Sequence, residues 1–294
     1  MTHAARHYLM CPPTWFDVTY AINPWMDPTR PVDRDRAIAQ WTALRETYER
    51  LGHRVDVLEP QPELPDMVFT ANGALVIGDQ ALGARFREPV REAEAPAHRR
   101  WLRDHGIHVH VPHEVNEGEG DFAWTGRHVL AGSGFRTSSR SHDELAELFD
   151  LPVVSLELVD PRFYHLDTAL LVLDEQTIAY YPAAFSEESQ RTLATYYPDA
   201  VHATEHDAMV LGLNGTSDGR HVVMAAQADS LAARISDAGF MPISVDVSEL
   251  LKAGGGVKCA TLELHPPVTN HPTRRYARTD EGTTPHDAAA SRSR

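Results

Sequence analysis

Asp167-Thr-Ala-Leu-Leu-Val-Leu-Asp-Glu-Gln-Thr-Ile-Ala-Tyr (167–180) reads as a hairpin: a small polar residue, an apolar run, a polar turn and a second run. Three other stretches share its layout. They are Asn72-Gly-Ala-Leu-Val-Ile-Gly-Asp-Gln-Ala-Leu-Gly (72–83), Asp121-Phe-Ala-Trp-Thr-Gly-Arg-His-Val-Leu-Ala-Gly (121–132) and Asn214-Gly-Thr-Ser-Asp-Gly-Arg-His-Val-Val-Met (214–224). A fifth, Cys259-Ala-Thr-Leu-Glu-Leu (259–264), keeps only its first strand. The opening residues Asn72, Asp121, Asp167, Asn214 and Cys259 recur every 45 to 49 positions. Such a period is typical of repeat or propeller units.

Helical patterns fall between the hairpins. In 33–51, Ala37, Trp41, Leu44, Tyr48 and Leu51 lie on one helical face, and Gly52 follows as a stop. Weaker helices are expected near 91–105, 141–149, 186–197 and 227–238. Each is followed by a short strand-like run. The unit is therefore strand–strand–helix–strand, and units that cannot bury their apolar faces alone must pack on neighbours. The expected fold is α/β, a five-bladed α/β propeller forming one catalytic domain over 1–268. The five opening residues would converge on its central mouth. Residues 269–294 lack apolar periodicity and are expected to form a disordered tail.

Composition narrows the function. The chain has 294 residues, a formal net charge of -15 and two cysteines. That balance and the lack of a basic stripe argue against nucleic acid. No apolar run reaches membrane-spanning or signal-peptide length, and a disulfide framework is excluded, so a cytoplasmic protein is expected. His108 and His110 alternate in a presumed strand, but no third ligand stands at a metal-site spacing. Neither a metal nor a cofactor is expected. A homodimer through the sheet edge or the Trp-bearing helix is one option; burial of those residues in the core is the other.

The chemistry-bearing residues cluster at the hairpin openings. Cys259 follows Gly254-Gly-Gly, a turn that lets the backbone approach a ligand, and is expected to open a strand. A lone Cys with His and carboxylates elsewhere is a candidate nucleophile. His165 is placed to act as general acid and base. Glu119, Asp121 and Asp167 could grip a cation such as a guanidinium. Arg85, Arg87 and Arg136 are candidates for a carboxylate clamp. Cys11, in Met-Cys-Pro-Pro, has no such setting and reads as packing.

Together these residues resemble the guanidino-group-modifying superfamily: arginine deiminases, dimethylarginine dimethylaminohydrolases, arginine dihydrolases and amidinotransferases. The likeness runs from about Cys11 to Pro267. It rests on Pro-Asp-Met-Val-Phe-Thr-Ala-Asn (65–72), Glu-Gly-Asp (119–121), His-Leu-Asp (165–167) and Cys259. The resemblance also implies the five-bladed propeller. It implies a small guanidino substrate, arginine or a methylarginine, attacked by Cys259. His165 would protonate the leaving amine and then activate water, with Glu119 orienting it. Asp121 and Asp167 would support or contact the guanidinium, and Arg136 with Arg87 or Arg85 would hold the α-carboxylate. Asp66, Phe69 and Asn23 are further pocket candidates.

Two departures stand out. Relatives often read Glu-Gly-Gly-Asp where this chain has Glu117-Gly-Glu-Gly-Asp, so Glu117 is held in reserve for the role given to Glu119. Deiminases and dimethylargininases usually carry Asp where this chain has Asn72. Asn72 and Tyr-Ala-Ile-Asn-Pro-Trp-Met (20–26) resemble the arginine dihydrolase branch, which is expected to release ornithine, ammonia and carbon dioxide. Dimethylargininase chemistry, giving citrulline and dimethylamine, and amidino transfer to an amine remain the alternatives. A non-catalytic guanidine-binding scaffold would not need the Cys, His and carboxylate set.

Overall fold

Each hairpin needs partners to bury its apolar residues, and the computed structural model shows how residues 5–268, the described part of the chain, supply them. The expected tail, 269–294, lies outside the described residues. In the first unit Ala74–Ile77 and Gln80–Gly83 pair antiparallel around Gly78, whose φ of 65° suits glycine. Helix Ala95–Asp104 brings the chain back, and His108–His110 runs parallel to Gln80–Gly83. The second unit repeats this with Phe122–Trp124, Val129–Ser133, helix Arg140–Phe149 and Val153–Glu157. The third uses Leu170–Val172, Ile178–Tyr180, helix Glu187–Tyr196 and Val201–His202. The fourth uses Thr216–Ser217, His221–Ala225, helix Asp229–Asp237 and Met241–Val245.

The fifth unit joins the two ends of the described chain. Leu262–His265 pairs antiparallel with His7–Met10, helix Arg34–Arg50 follows, and Arg54–Val57 lies parallel to His7–Met10. The strand that the sequence left missing after Cys259 is thus supplied from the N-terminal side. Leu262–His265 also runs parallel to Ala74–Ile77, so the fifth and first units share a six-stranded sheet. The other three units are separate three-stranded sheets. The architecture is mixed α/β, and no sheet closes on itself among the described residues.

The apolar core passes from unit to unit. Leu75 and Leu82 of the first pack with Phe122 and Leu145 of the second. Leu130, Leu171 and Val222 bind the second, third and fourth into one cluster. Val223 and Val245 of the fourth meet Tyr8, Leu44 and Tyr48 of the fifth. Leu9 and Leu262 of the fifth meet Val76 and Ala81 of the first. Helix Arg34–Arg50 begins at Asp33, whose side chain accepts from the Arg36 N–H, and buries Ala37, Trp41, Leu44 and Tyr48. Trp41 is 6% exposed and packs inward. No helix among the described residues is long and apolar enough to cross a membrane.

A buried charge cluster pins the last strand. Glu119, on the turn Gly118–Gly120, accepts from Lys258 Nζ at 2.6 Å and from the Glu263 N–H at 2.9 Å. Its other oxygen lies 2.7 Å from His265 Nε2, and Glu263 Oε1 lies 3.3 Å from His265 Nδ1. Burial alone would lower the basicity of His265, but Glu263 and Glu119 raise its pKa to about 9. Because the folded value exceeds the unfolded one, this stabilisation is fully present below about pH 6.5 and is lost as pH rises through about 9. Denaturant unfolding should therefore show the wild type losing on the order of a few kcal/mol between neutral pH and pH 10. His265→Gln should be less stable at neutral pH and lose much less over that interval.

Candidate active site

The turn before the last strand is built for close approach. A Cβ on Gly254, which has a φ of +81°, would sit 2.9 Å from both the Asn23 carboxamide and the Tyr164 hydroxyl. One on Gly255 would strike the Phe69 ring at 2.3 Å, and one on Gly256 would meet Asn214 Oδ1 at 2.9 Å. The three glycines therefore admit pocket side chains against the backbone. Cys259 lies in the following turn rather than in a strand: Ala260 N–H donates to Gly256 O, Thr261 N–H donates to Lys258 O, and the strand starts at Leu262. In that turn the Lys258 side chain reaches Glu119 while Cys259 meets a different set of partners.

Cys259 is 3% exposed. Its thiol donates to Asp167 Oδ2 at 3.1 Å, and Asn214 Nδ2 donates to Sγ at 3.1 Å. Burial, then the Asp167 carboxylate, pushes the thiol well above the ordinary cysteine range. Asp167 sits in the short helix Leu166–Ala169, which begins just after His165. The thiol and the imidazole are thus coupled through one helical turn.

His165 is 1% exposed, and its Nε2 lies 2.8 Å from Glu117 Oε2. Here the sequence expectation is corrected. Glu117 orients the imidazole; Glu119 points to Lys258 and His265 instead. The reason is the left-handed turn at Gly118, with a φ of 55°, which sends the two glutamates in different directions. Burial would raise the Glu117 carboxyl, but His165, Arg136 and Arg91 hold it at about 2. His165 Nδ1 has no hydrogen-bond partner among the described residues. Asp121 lies behind the ring: Oδ1 accepts from the Leu166 N–H at 3.0 Å and Oδ2 is 3.9 Å from His165 Nε2. Burial raises its pKa to about 6.

Cys259 opens onto a narrow pocket that also receives Asn23, Asp66, Phe69, Asn72 and Arg136. Arg85 and Arg87 do not reach it. Both are exposed, and Arg85 donates to the His113 carbonyl. They leave the second strand of the hairpin on its outer side. The second pocket arginine is Arg91, which the sequence reading placed at the start of a helix and passed over. It forms a two-pronged bond to Glu94 at 2.9 and 2.8 Å and donates to Asn72 Oδ1 at 2.8 Å. Arg136 donates to the Ile22 carbonyl at 2.7 Å and lies 3.4 Å from Glu117 Oε2. Asn23 Nδ2 donates to Ala253 O, holding the 20–26 segment over the pocket. Tyr164, whose hydroxyl donates to Gly254 O at 2.8 Å, was also missed. Cys11 is buried in the core, as its setting suggested. Among the described residues no group of three or more His, Cys, Asp or Glu side chains is placed to hold a metal.

Residues 19–266 match the family model described as N,N dimethylarginine dimethylhydrolase, eukaryotic. The chain is 56% identical over 265 residues to the N(G),N(G)-dimethylarginine dimethylaminohydrolase of Mycobacterium tuberculosis, covering 90% of this chain and 88% of that protein. It is 39% identical over 277 residues to the bifunctional arginine dihydrolase/ornithine cyclodeaminase AgrE of Nostoc, spanning 91% of this chain but 39% of that longer protein. Among solved structures, the N-terminal domain of ArgZ, a cyanobacterial arginine dihydrolase, was determined as a Cys-to-Ser variant bound to substrate. It matches with a TM-score of 0.86 at 36% identity, over 90% of this chain and 99% of that one. By this extent and degree of similarity, the chain belongs to the dimethylarginine dimethylaminohydrolase family.

Proposed function

We propose that the protein is an arginine dihydrolase that hydrolyses arginine twice through a covalent adduct on Cys259. Family membership makes it a hydrolase of guanidino C–N bonds. The observation that carries the finer reading is the state of Asn72. Its Oδ1 accepts from Arg91 at 2.8 Å and its Nδ2 donates to the Glu117 carbonyl at 3.5 Å, so the second amide hydrogen is the group it can offer a ligand in the pocket it lines. A neutral donor there tolerates the carbonyl oxygen of a ureido group, whereas a carboxylate would repel it. Citrulline, the first product, can therefore be held for a second attack. The alternative is dimethylargininase chemistry, favoured by the name of the Mycobacterium tuberculosis relative.

The mechanism follows from charge. The arriving guanidinium brings a positive charge beside Asp167 and Glu117, which lowers the cost of ionising the thiol. Sγ attacks the guanidinium carbon. His165, with Nε2–H fixed on the Glu117 anion, takes up the thiol proton on Nδ1 as the sulfur attacks and passes it to the departing ammonia. The resulting thiouronium is attacked by water that His165 deprotonates, and Sγ leaves as citrulline forms. In the second round Sγ attacks the ureido carbon, ammonia leaves, and water releases a carbamate that splits to ornithine and carbon dioxide. Arg136 and Arg91 are the groups proposed for the α-carboxylate, and Asp66 for the α-amino group.

We also propose that the five units form the blades of a propeller. The passage of the core from each unit to the next, and from the fifth back to the first, supports a ring. A reducing cytoplasm would suit a thiol that must stay reduced.

Two outcomes are expected. Purified protein given arginine should release ornithine with two equivalents of ammonia, and Cys259→Ser should release neither. Citrulline as the end product, or turnover of asymmetric dimethylarginine alone, would replace the dihydrolase reading with the alternative. Glu117→Gln should lower kcat by about 100-fold or more, as loss of the group fixing a general acid does. Glu119→Gln should act mainly on unfolding, not on kcat.

A further inference from the structure

The mechanism above uses Cys259, His165 and the carboxylates but leaves Asn214 without a task. Asn214 opens the fourth hairpin and is completely buried. Its carboxamide is used in full. Oδ1 accepts from the Cys259 N–H at 3.1 Å, while Nδ2 donates to the Asp167 carbonyl at 3.0 Å and to Cys259 Sγ at 3.1 Å. The assignment of oxygen and nitrogen is fixed by the two main-chain partners. A flipped amide would set N–H against N–H and carbonyl against carbonyl. One amide hydrogen must therefore point at the sulfur.

Two further features hold the amide in place. Asn214 O accepts from the Lys258 N–H at 3.1 Å, so the same residue ties down the nucleophile's turn a second time. The chain reaches Asn214 through Leu211, a buried leucine with a φ of 51°. A bulky side chain rarely adopts that left-handed conformation, and the turn that follows it is closed by the Asn214 N–H donating to Leu211 O at 3.0 Å. Strain of this kind persists where surrounding structure demands a fixed position.

We propose that Asn214 is a positioning residue for the nucleophile, which grips the Cys259 main chain with its oxygen and aims an N–H at Sγ to stabilise the thiolate. Asp167 and Asn214 act on the sulfur in opposite senses. The carboxylate accepts the thiol proton and favours the neutral form; the amide donates and favours the anion. Once the guanidinium engages Asp167, the Asn214 bond remains to hold the anion during attack and during its return as leaving group. This assignment rests on the proposal that Cys259 is the nucleophile.

The test needs no substrate. Alkylation of Cys259 by iodoacetamide is followed across pH by mass spectrometry of its peptide in wild type, Asn214→Ala and Asn214→Asp. In Asn214→Ala the midpoint should rise by about one pH unit, a tenfold loss of thiolate. Asn214→Asp, of nearly the same shape, should raise it further. With arginine, kcat should fall by about 100-fold, the scale of removing one donor from a developing anion, with a smaller change in KM. Midpoints equal to wild type in folded variants would overturn the assignment. In the wild type itself, the Asn214 side-chain amide resonance should titrate with the alkylation midpoint; an amide that ignores the thiol would overturn it even if neither variant folds. Shifted midpoints in a protein that hydrolyses no guanidine would sink the proposed activity alone.

Discussion

A carboxylate with no solvent exposure governs the arrangement of this site. Glu117 must be compensated where it lies, because an uncompensated buried charge is among the most costly groups a protein can contain. His165 and Arg136 contact its Oε2, and the Arg87 N–H donates to its other oxygen. Each of these partners is then fixed by something else. Arg136 is tied to the Ile22 carbonyl and lies over the Tyr164 ring. His165 leads into the helical turn that carries Asp167 to the thiol. The placing of the thiol and the imidazole is thus what remains after one anion has been satisfied.

A second enclosed set lies beside it. Arg91, Glu94, Asp66 and Tyr20 join the first hairpin to the 20–26 segment, with Tyr20 donating to Asp66 at 2.7 Å. Burial raises Glu94 to about 7 despite Arg91. Arg91, Glu94 and Asp66 are almost fully covered, and Arg91 and Asp66 border the pocket.

Much of this was legible in the chain. The 45 to 49 residue period fixed the order of strands and helices, because each unit repeats the same alternation of apolar runs and turns. It also brought Asn72, Asp121, Asp167, Asn214 and Cys259 to comparable structural positions. The fifth unit's second strand was not legible, since periodicity carries no information about pairing between distant segments. The choice between Glu117 and Glu119 was equally hidden. Two glutamates separated by one glycine are indistinguishable until the φ of Gly118 is known. Arg91 was missed because a charged residue at a helix start ordinarily faces water. Here Glu94, one turn later, draws it inward.

The strand Leu262–His265 has one further meaning. It brings Leu262 beside Leu9 and Leu264 beside Val76, contacts between widely separated parts of the chain. Such contacts carry a high loop-closure cost. During synthesis, the residues after Cys259 are among the last of the fold to leave the ribosome. The turn that holds Cys259 against Asp167 and Asn214 leads directly into this strand, which is paired on both sides with distant segments. Loosening the pairing of Leu262–His265 would therefore release the Cys259 turn as well as the sheet.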